Sequence, residues 1–110
     1  MLVLMSGTTA APSASSGAVY ENGLSAYPNP TAGRGTVRVS AAAPGPVTVS
    51  VFDALGRRVA VLYDGMLMAG VHDLPLAAEA LAPGVYVVHV RARPDSGAAW
   101  SEVQRITVAR

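Results

Sequence analysis

The sequence contains no cysteine and no lysine. Without cysteine the chain forms no disulfide, no cysteine–zinc site and no catalytic thiolate. The eight basic side chains are all arginines, interleaved with seven acidic residues to give a net charge of +1. Binding of nucleic acid through its phosphates uses about 6–10 contacts from one face. Scattered arginines therefore argue against a nucleic-acid partner.

Aromatic residues and long apolar runs are also scarce. Aromatic side chains make up only 5% of a chain that is 51% hydrophobic, so the core must consist of Val, Leu and Ala, and Val favours strands. No apolar run approaches the ~20 residues of a transmembrane helix. The segment Leu2–Met5 resembles part of a signal-peptide core, but it is too short and no basic residue precedes it. We expect no transmembrane segment.

A chain of 110 residues is expected to form one domain. The stretch Ser6–Gly23 is rich in Ser, Ala, Gly and Thr and has no sustained hydrophobic periodicity. Residues 1–23 are therefore interpreted as a flexible linker or a truncated upstream segment. The folded unit is predicted over 24–110, and Met1 need not be the natural start of the polypeptide.

Short alternating segments separated by turn residues are typical of an all-β domain. Seven strands are predicted, at 24–27, 36–41, 47–54, 58–63, 71–76, 85–93 and 99–109. A single helical turn is expected at 77–81, because Ala, Glu and Leu favour helix. The pattern predicts an immunoglobulin-like antiparallel β-sandwich of about seven strands, with a small barrel as the alternative.

The alternation breaks in the last predicted strand. Val103 falls on one face, whereas Ile106 and Val108 fall on the other. A β-bulge near Gln104–Arg105 would return all three side chains to the core. We therefore predict a bulge at that place.

The segment Leu81–Tyr86 places a tyrosine at the start of a strand, after a loop that ends in Pro-Gly. In immunoglobulin-like domains such a tyrosine turns its hydroxyl back to an upstream backbone group, forming a tyrosine corner. Gly84 allows backbone angles that other residues resist. The segment predicts a corner at Tyr86, with an ordinary core tyrosine as the alternative.

Five phrases follow one another along the chain: Leu24–Pro30 with its Pro-Asn-Pro turn, Val51–Val59, Asp64–Gly65 with Ala69–His72, Gly84–Tyr86, and Gln104–Arg110. Taken in this order, they resemble the C-terminal sorting domain (type A) of the type IX, or Por, secretion system. The resemblance covers about 24–110. The chain departs from the family in having Arg where Lys is usual near the end, and in a longer last turn. The phrase with Asp64–Gly65 is expected to form a hairpin.

The resemblance implies a secretion signal without catalytic activity or cofactor. An outer-membrane translocon would recognise it, a sortase-like peptidase would remove it, and the passenger protein would lie upstream. The passenger would pass through the periplasm and finish anchored at the cell surface or released. Cleavage is expected in the linker before Leu24, although the sequence does not mark the bond.

The same resemblance marks candidate recognition or motif residues. They are Pro28, Asn29, Pro30, Asp53, Gly56, Arg57, Gly84, Tyr86, Arg105 and Arg110. A purely structural turn is an equal alternative for the Pro-Asn-Pro phrase. Asp53 is expected to accept backbone N–H groups across its turn, with Arg57 nearby. The last strand, as a sheet edge, offers backbone groups to a partner, and its arginines alternatively guard against aggregation.

Two other functions remain as alternatives. One is an immunoglobulin-like or fibronectin-like module that binds carbohydrate or protein, for which Trp100 is the one tryptophan available as a platform. The other is an enzyme. However, no serine lies in a Gly-x-Ser-x-Gly nucleophile motif, and His72 and His89 have no close third metal ligand. The sequence favours a binding signal over catalysis.

Overall fold

A computed structural model describes residues 20–109. Predictions for the segment before Tyr20, and for Arg110, lie outside the described residues. The strands are β1 Gly23–Tyr27, β2 Arg34–Ala41, β3 Gly45–Asp53, β4 Arg58–Leu67, β5 Gly70–Ala77, β6 Gly84–Ala92 and β7 Trp100–Val108. A 3₁₀ turn at Ala78–Ala80 occupies the predicted helical position. In residues 20–109 no helix has the length and apolar character needed to cross a bilayer.

The seven strands form two antiparallel sheets, which confirms the sandwich over the barrel. One sheet has the order β1-β2-β5 and the other the order β4-β3-β6-β7. In a constant-type immunoglobulin domain the fourth strand joins the first sheet. Here β4 pairs with β3 instead and extends the second sheet. The four-stranded sheet therefore has β4 and β7 as its edges.

The core lies between the sheets and consists mostly of valines. Strand β3 shows the pattern clearly, since Val47, Val49 and Val51 are at most 3% exposed. Full burial of such a side chain contributes about 1.5–3 kcal/mol relative to exposure. The other fully covered valine and isoleucine side chains follow the same alternation on β2, β6 and β7, and they are Val37, Val39, Val88, Val90, Ile106 and Val108.

The prediction that the fourth strand ends before Asp64–Gly65 is wrong. The strand continues to Leu67, with Asp64 opposite Thr48 and Gly65 opposite Val47. The Asp64 carboxylate accepts a hydrogen bond from the Thr48 hydroxyl at 3.2 Å. Cross-strand pairing therefore outweighs the turn tendency of Asp-Gly. Because β4 and β5 lie in different sheets, the predicted hairpin between them is wrong, and the chain crosses from one sheet to the other.

The predicted bulge in β7 is also wrong. The β6–β7 ladder runs from Gly84 opposite Val108 to Ala92 opposite Trp100 without a shift. Val103 stays on the outer face of the sheet and is 65% exposed. The prediction assumed that every strand valine faces inward, but single apolar side chains are often exposed. The register shifts lie instead in the β3–β4 ladder, between Val49 and Ser50 and between Val51 and Phe52.

Candidate functional site

The loop after β1 docks on the free edge of β7 through Asn29. The Asn29 side chain donates from Nδ2 to the carbonyl oxygen of Arg105 at 3.1 Å. Its Oδ1 accepts the backbone N–H of Thr107 at 3.0 Å. Because the flanking prolines have no N–H, the loop cannot pair with β7 through its own ladder there. The amide of Asn29 substitutes for the peptide group of a neighbouring strand.

Thr31 continues this contact with its backbone. Its N–H donates to the Thr107 carbonyl, and its own carbonyl accepts the N–H of Ala109, both at 2.9 Å. Thr31 is 1% exposed, and its hydroxyl has no hydrogen-bond partner in the described part of the chain. Thr31 was not among the residues predicted from the sequence. Its position directly after the Pro-Asn-Pro phrase is the one signal in the sequence that points to it.

The β3–β4 turn is organised around the carboxylate of Asp53, as predicted. Oδ1 accepts the backbone N–H groups of Leu55 and Arg57, both at 2.9 Å. Oδ2 accepts Nε of Arg57 at 2.8 Å. The Asp53 carbonyl also accepts the N–H of Gly56, whose φ of +83° favours glycine. This is a three-residue hairpin loop with a left-handed last residue.

These contacts hold the carboxylate in its charged form. The backbone N–H of Arg57 is the largest cause that lowers the pKa of Asp53 below its usual value, and the Arg57 side chain and the Leu55 N–H add to it. The Asp53 side chain is only 16% exposed, whereas that of Arg57 is 72% exposed. Asp53 therefore builds the turn, and the remaining guanidinium N–H groups of Arg57 face solvent.

Tyr86 forms the predicted tyrosine corner. Its hydroxyl donates to the carbonyl oxygen of Ala82 at 2.6 Å, and its ring is buried at 7% exposure. Gly84 opens β6 with a φ of +155°, which side-chain-bearing residues rarely adopt. The hydrogen bond fixes the loop before β6 onto the strand that follows it.

The strand register brings most of these features to one end of the four-stranded sheet. Asp53 lies opposite Tyr86, and Tyr86 lies opposite Ile106. The two residues that flank Ile106 are those bound by Asn29. The Pro-Asn-Pro loop, the Asp53 turn and the tyrosine corner are thus neighbours in space although they are far apart in the sequence.

The last strand is a sheet edge, as predicted, but part of it is already occupied. Asn29 and Thr31 bond the edge groups from the Arg105 carbonyl to the Ala109 N–H. The Arg105 side chain is exposed on the outer face beside this contact. Arg110 lies outside the described residues.

The two histidines lie apart from each other. His72 is on β5 with Nε2 2.7 Å from the Met68 carbonyl oxygen, whereas His89 is on β6 in the other sheet. Residues 20–109 include no group of three or more His, Asp or Glu side chains able to hold a metal ion. The site is a surface of turns and backbone edges.

Comparison with known proteins gives the family of the chain. The family model described as "Secretion system C-terminal sorting domain" matches residues 25–99, from β1 to the loop before β7. No curated protein and no solved structure matched the chain. With the family's strand and turn phrases gathered at one end of a two-sheet sandwich, the chain belongs to the secretion system C-terminal sorting domains, the signals of type IX secretion.

Proposed function

We propose that the domain acts without catalysis as an export tag that the outer-membrane translocon of the type IX system recognises. The passenger protein is attached on the N-terminal side of the domain and crosses the periplasm before reaching the cell surface or the medium. A sortase-like peptidase then removes the tag. The type A subtype is part of the same proposal.

The observation behind this proposal is the family match over residues 25–99. The geometry supports it, since three phrases of the family meet at one end of the sandwich. Such a composite end exists only when the domain is folded. Recognition of this end would therefore report that the tag has folded before export.

The candidate residues divide into two groups by their contacts. Asn29, Asp53 and Tyr86 have polar atoms bonded within the domain, so we assign them to building the end. Pro28, Pro30, Gly56 and Gly84 shape the loops. Arg57 and Arg105 have exposed side chains, although Nε of Arg57 also donates to Asp53, and we propose that they contact the translocon together with Arg110.

We place cleavage on the N-terminal side of Asn22. The Asn22 side chain already belongs to the fold, because its Oδ1 accepts the N–H of Ala42 at 2.8 Å. Gly23 pairs with Ser40 in the β1–β2 ladder. A peptidase acts on an accessible, extended backbone, whereas hydrogen bonds within the fold already engage both Asn22 and Gly23. Mass spectrometry of the exported passenger would identify the bond.

An export assay tests the proposal directly. The full chain is fused behind a reporter that reaches the periplasm, in a cell with a type IX system, and a strain without the translocon serves as the negative control. We expect the reporter at the surface or in the medium of the first strain only. A folded reporter that remains in the periplasm of both strains would contradict the export role.

Charge reversal separates recognition from folding. Arg57→Glu and Arg105→Glu alter exposed side chains, so circular dichroism should show a folded domain for both while export falls; Arg57→Glu should be the less stable, because it loses the bond to Asp53. Arg93→Glu is the matched control, because Arg93 is exposed and follows the opposite end of β6. Equal export by all three variants would assign the arginines no role in recognition. Removal of the last few residues tests Arg110 in the same assay.

The carbohydrate-binding alternative has little support in the structure. Trp100, the expected aromatic platform, is partly buried and packs against the hydrophobic core. Carbohydrate sites use exposed aromatic faces. The available ring is thus used for packing.

A further inference from the structure

An apolar groove lies on the outer face of the four-stranded sheet, next to the β3–β4 turn. It is open, has a volume of about 470 Å³, and is lined chiefly by Phe52, Ala54, Val87, His89 and Val103, together with Asp53 and Gly56 of the turn. Phe52 and His89 pack edge to face, with ring centroids 6.2 Å apart at 71°. Val103 is largely exposed beside them. The side chains of Phe52, Val87 and Val103 give the groove an apolar floor.

Three arginines surround this groove, and none of them has an ion-pair partner among residues 20–109. Arg58, Phe52, Val87 and Arg105 form one cross-strand row over all four strands. Arg91 lies on the same face further along β6. Directly opposed residues point to the same side of a sheet, so the three guanidinium groups share the face with the groove.

Three arginines at this groove differ in their charge pairing from three others in the domain. Within residues 20–109 none of the three groove arginines has a carboxylate within ion-pair distance, whereas Arg34, Arg38 and Arg57 each have one, at 3.5, 2.8 and 2.8 Å. An acidic residue on this face, Asp64, accepts a hydrogen bond from Thr48. The groove therefore has an apolar floor and a basic rim.

The edge of β7 next to the groove is open. Asn29 and Thr31 bond the edge groups of Arg105, Thr107 and Ala109, which shows that alternate residues direct their backbone to this side. By the same alternation Ser101 and Val103 present their N–H and C=O groups to the free edge. Among the described residues nothing pairs with these groups.

We propose that the groove binds an extended acidic segment of a partner protein, which adds as a strand to β7 along Ser101–Arg105. An apolar side chain of the segment lies beside Val103, and a carboxylate two residues away reaches Arg105. Strand addition explains the open edge, and charge complementarity explains the unpaired Arg105 at that edge. A nucleic acid would need about 6–10 phosphate contacts, more than three arginines supply.

This inference deepens the proposed function, since a translocon subunit with such a segment would be the partner that reads the tag. Peptide binding is measured without export, so the two claims fail separately. If the reporter fused to the unmodified chain stayed in the periplasm, the export role alone would be refuted. Absence of peptide binding would refute the groove alone.

The probe is a short capped peptide in which Thr alternates with Asp, Val, Val and Asp, in that order. The peptide is titrated into the full chain, and backbone amide NMR shifts of the chain report binding. We expect saturable shifts at Ser101, Val103 and Arg105. Arg105→Glu should weaken binding about ten-fold, equivalent to about 1.4 kcal/mol. Added salt should weaken binding too. Arg34→Glu, on the three-stranded sheet, is the matched control and should bind like the unmodified chain.

A second variant tests the strand geometry. Val103→Pro removes an N–H that faces the free edge, a place where edge strands tolerate proline, so the fold should persist while peptide binding is lost. The proposal is overturned if the peptide with Lys in place of Asp binds equally well, or if Arg34→Glu and Arg105→Glu weaken binding equally. It is also overturned if vesicles of anionic lipid bind the domain and the peptide does not.

Discussion

Removal of the Tyr86 hydroxyl tests how much the tyrosine corner contributes to this domain. Tyr86→Phe keeps the buried ring and deletes the hydrogen bond of 2.6 Å to the Ala82 carbonyl oxygen. The variant therefore changes the corner and leaves the apolar packing of the core almost as it is.

The magnitude follows from the surroundings of the two atoms. A hydrogen bond of this kind contributes about 0.5–1.5 kcal/mol, and a buried carbonyl left without a partner costs about 1–3 kcal/mol. Ala82 is exposed, so water can replace the lost donor and the smaller range applies. We expect a loss of about 1 kcal/mol in the free energy of unfolding. For a domain of this size that lowers Tm by about 4–8 °C.

Urea unfolding followed by circular dichroism measures this loss as a lower midpoint at an unchanged m-value. Tyr20→Phe is the matched control, because in the described part of the chain the Tyr20 hydroxyl has no hydrogen-bond partner, and it should stay within about 0.5 kcal/mol of the unmodified protein. Equal stability of the two variants would refute the reasoning, since the corner would then contribute only its ring.

Three further predictions use the same unfolding assay. Asn29→Ala should cost about 1–2 kcal/mol through its two bonds to β7, roughly twice the cost of Asn22→Ala, which loses one; equal losses would contradict the edge contact. The lowered folded-state pKa of Asp53 stabilises the fold above about pH 4, so the urea midpoint should fall as the solution is acidified below that value, and fall less in Asp53→Asn. Gly45→Ala should destabilise by at least about 1–3 kcal/mol, because the new Cβ would lie 2.5 Å from a carbonyl oxygen of the β6–β7 loop, whereas Gly33→Ala meets no atom within 4 Å and should be near neutral.

Much of the fold was predictable because its signals are local. Alternation of apolar with polar residues identified all seven strands, and Pro and Gly identified most of their ends. The turn at Asp53 and the corner at Tyr86 were predictable for the same reason. Each needs only a side chain and backbone groups within four residues of it.

The errors arose where distant strands decide the outcome. Asp64–Gly65 has the composition of a turn, but pairing with Thr48 and Val47 keeps it inside β4. Val103 was assigned to the core because its outer neighbours on β6 were unknown. A residue's own neighbours in the sequence do not specify which strand it will face.

The candidate site shows the same division. The phrases around Asn29, Asp53 and Tyr86 can be recognised individually, and their order along the chain is sufficient to indicate the family. Their meeting at one end of the sandwich, and the docking of Asn29 on β7, could not be foreseen. Both depend on contacts between distant residues, since Asn29 is 76 positions from Arg105 and 78 positions from Thr107 in the sequence.

The sequence alone therefore determined the strands, the turns and the kind of signal this domain is, because short-range backbone chemistry specifies each of them. Only the tertiary structure decided which strand edge stays open and which arginines stay unpaired, because both depend on how the two sheets arrange distant residues side by side.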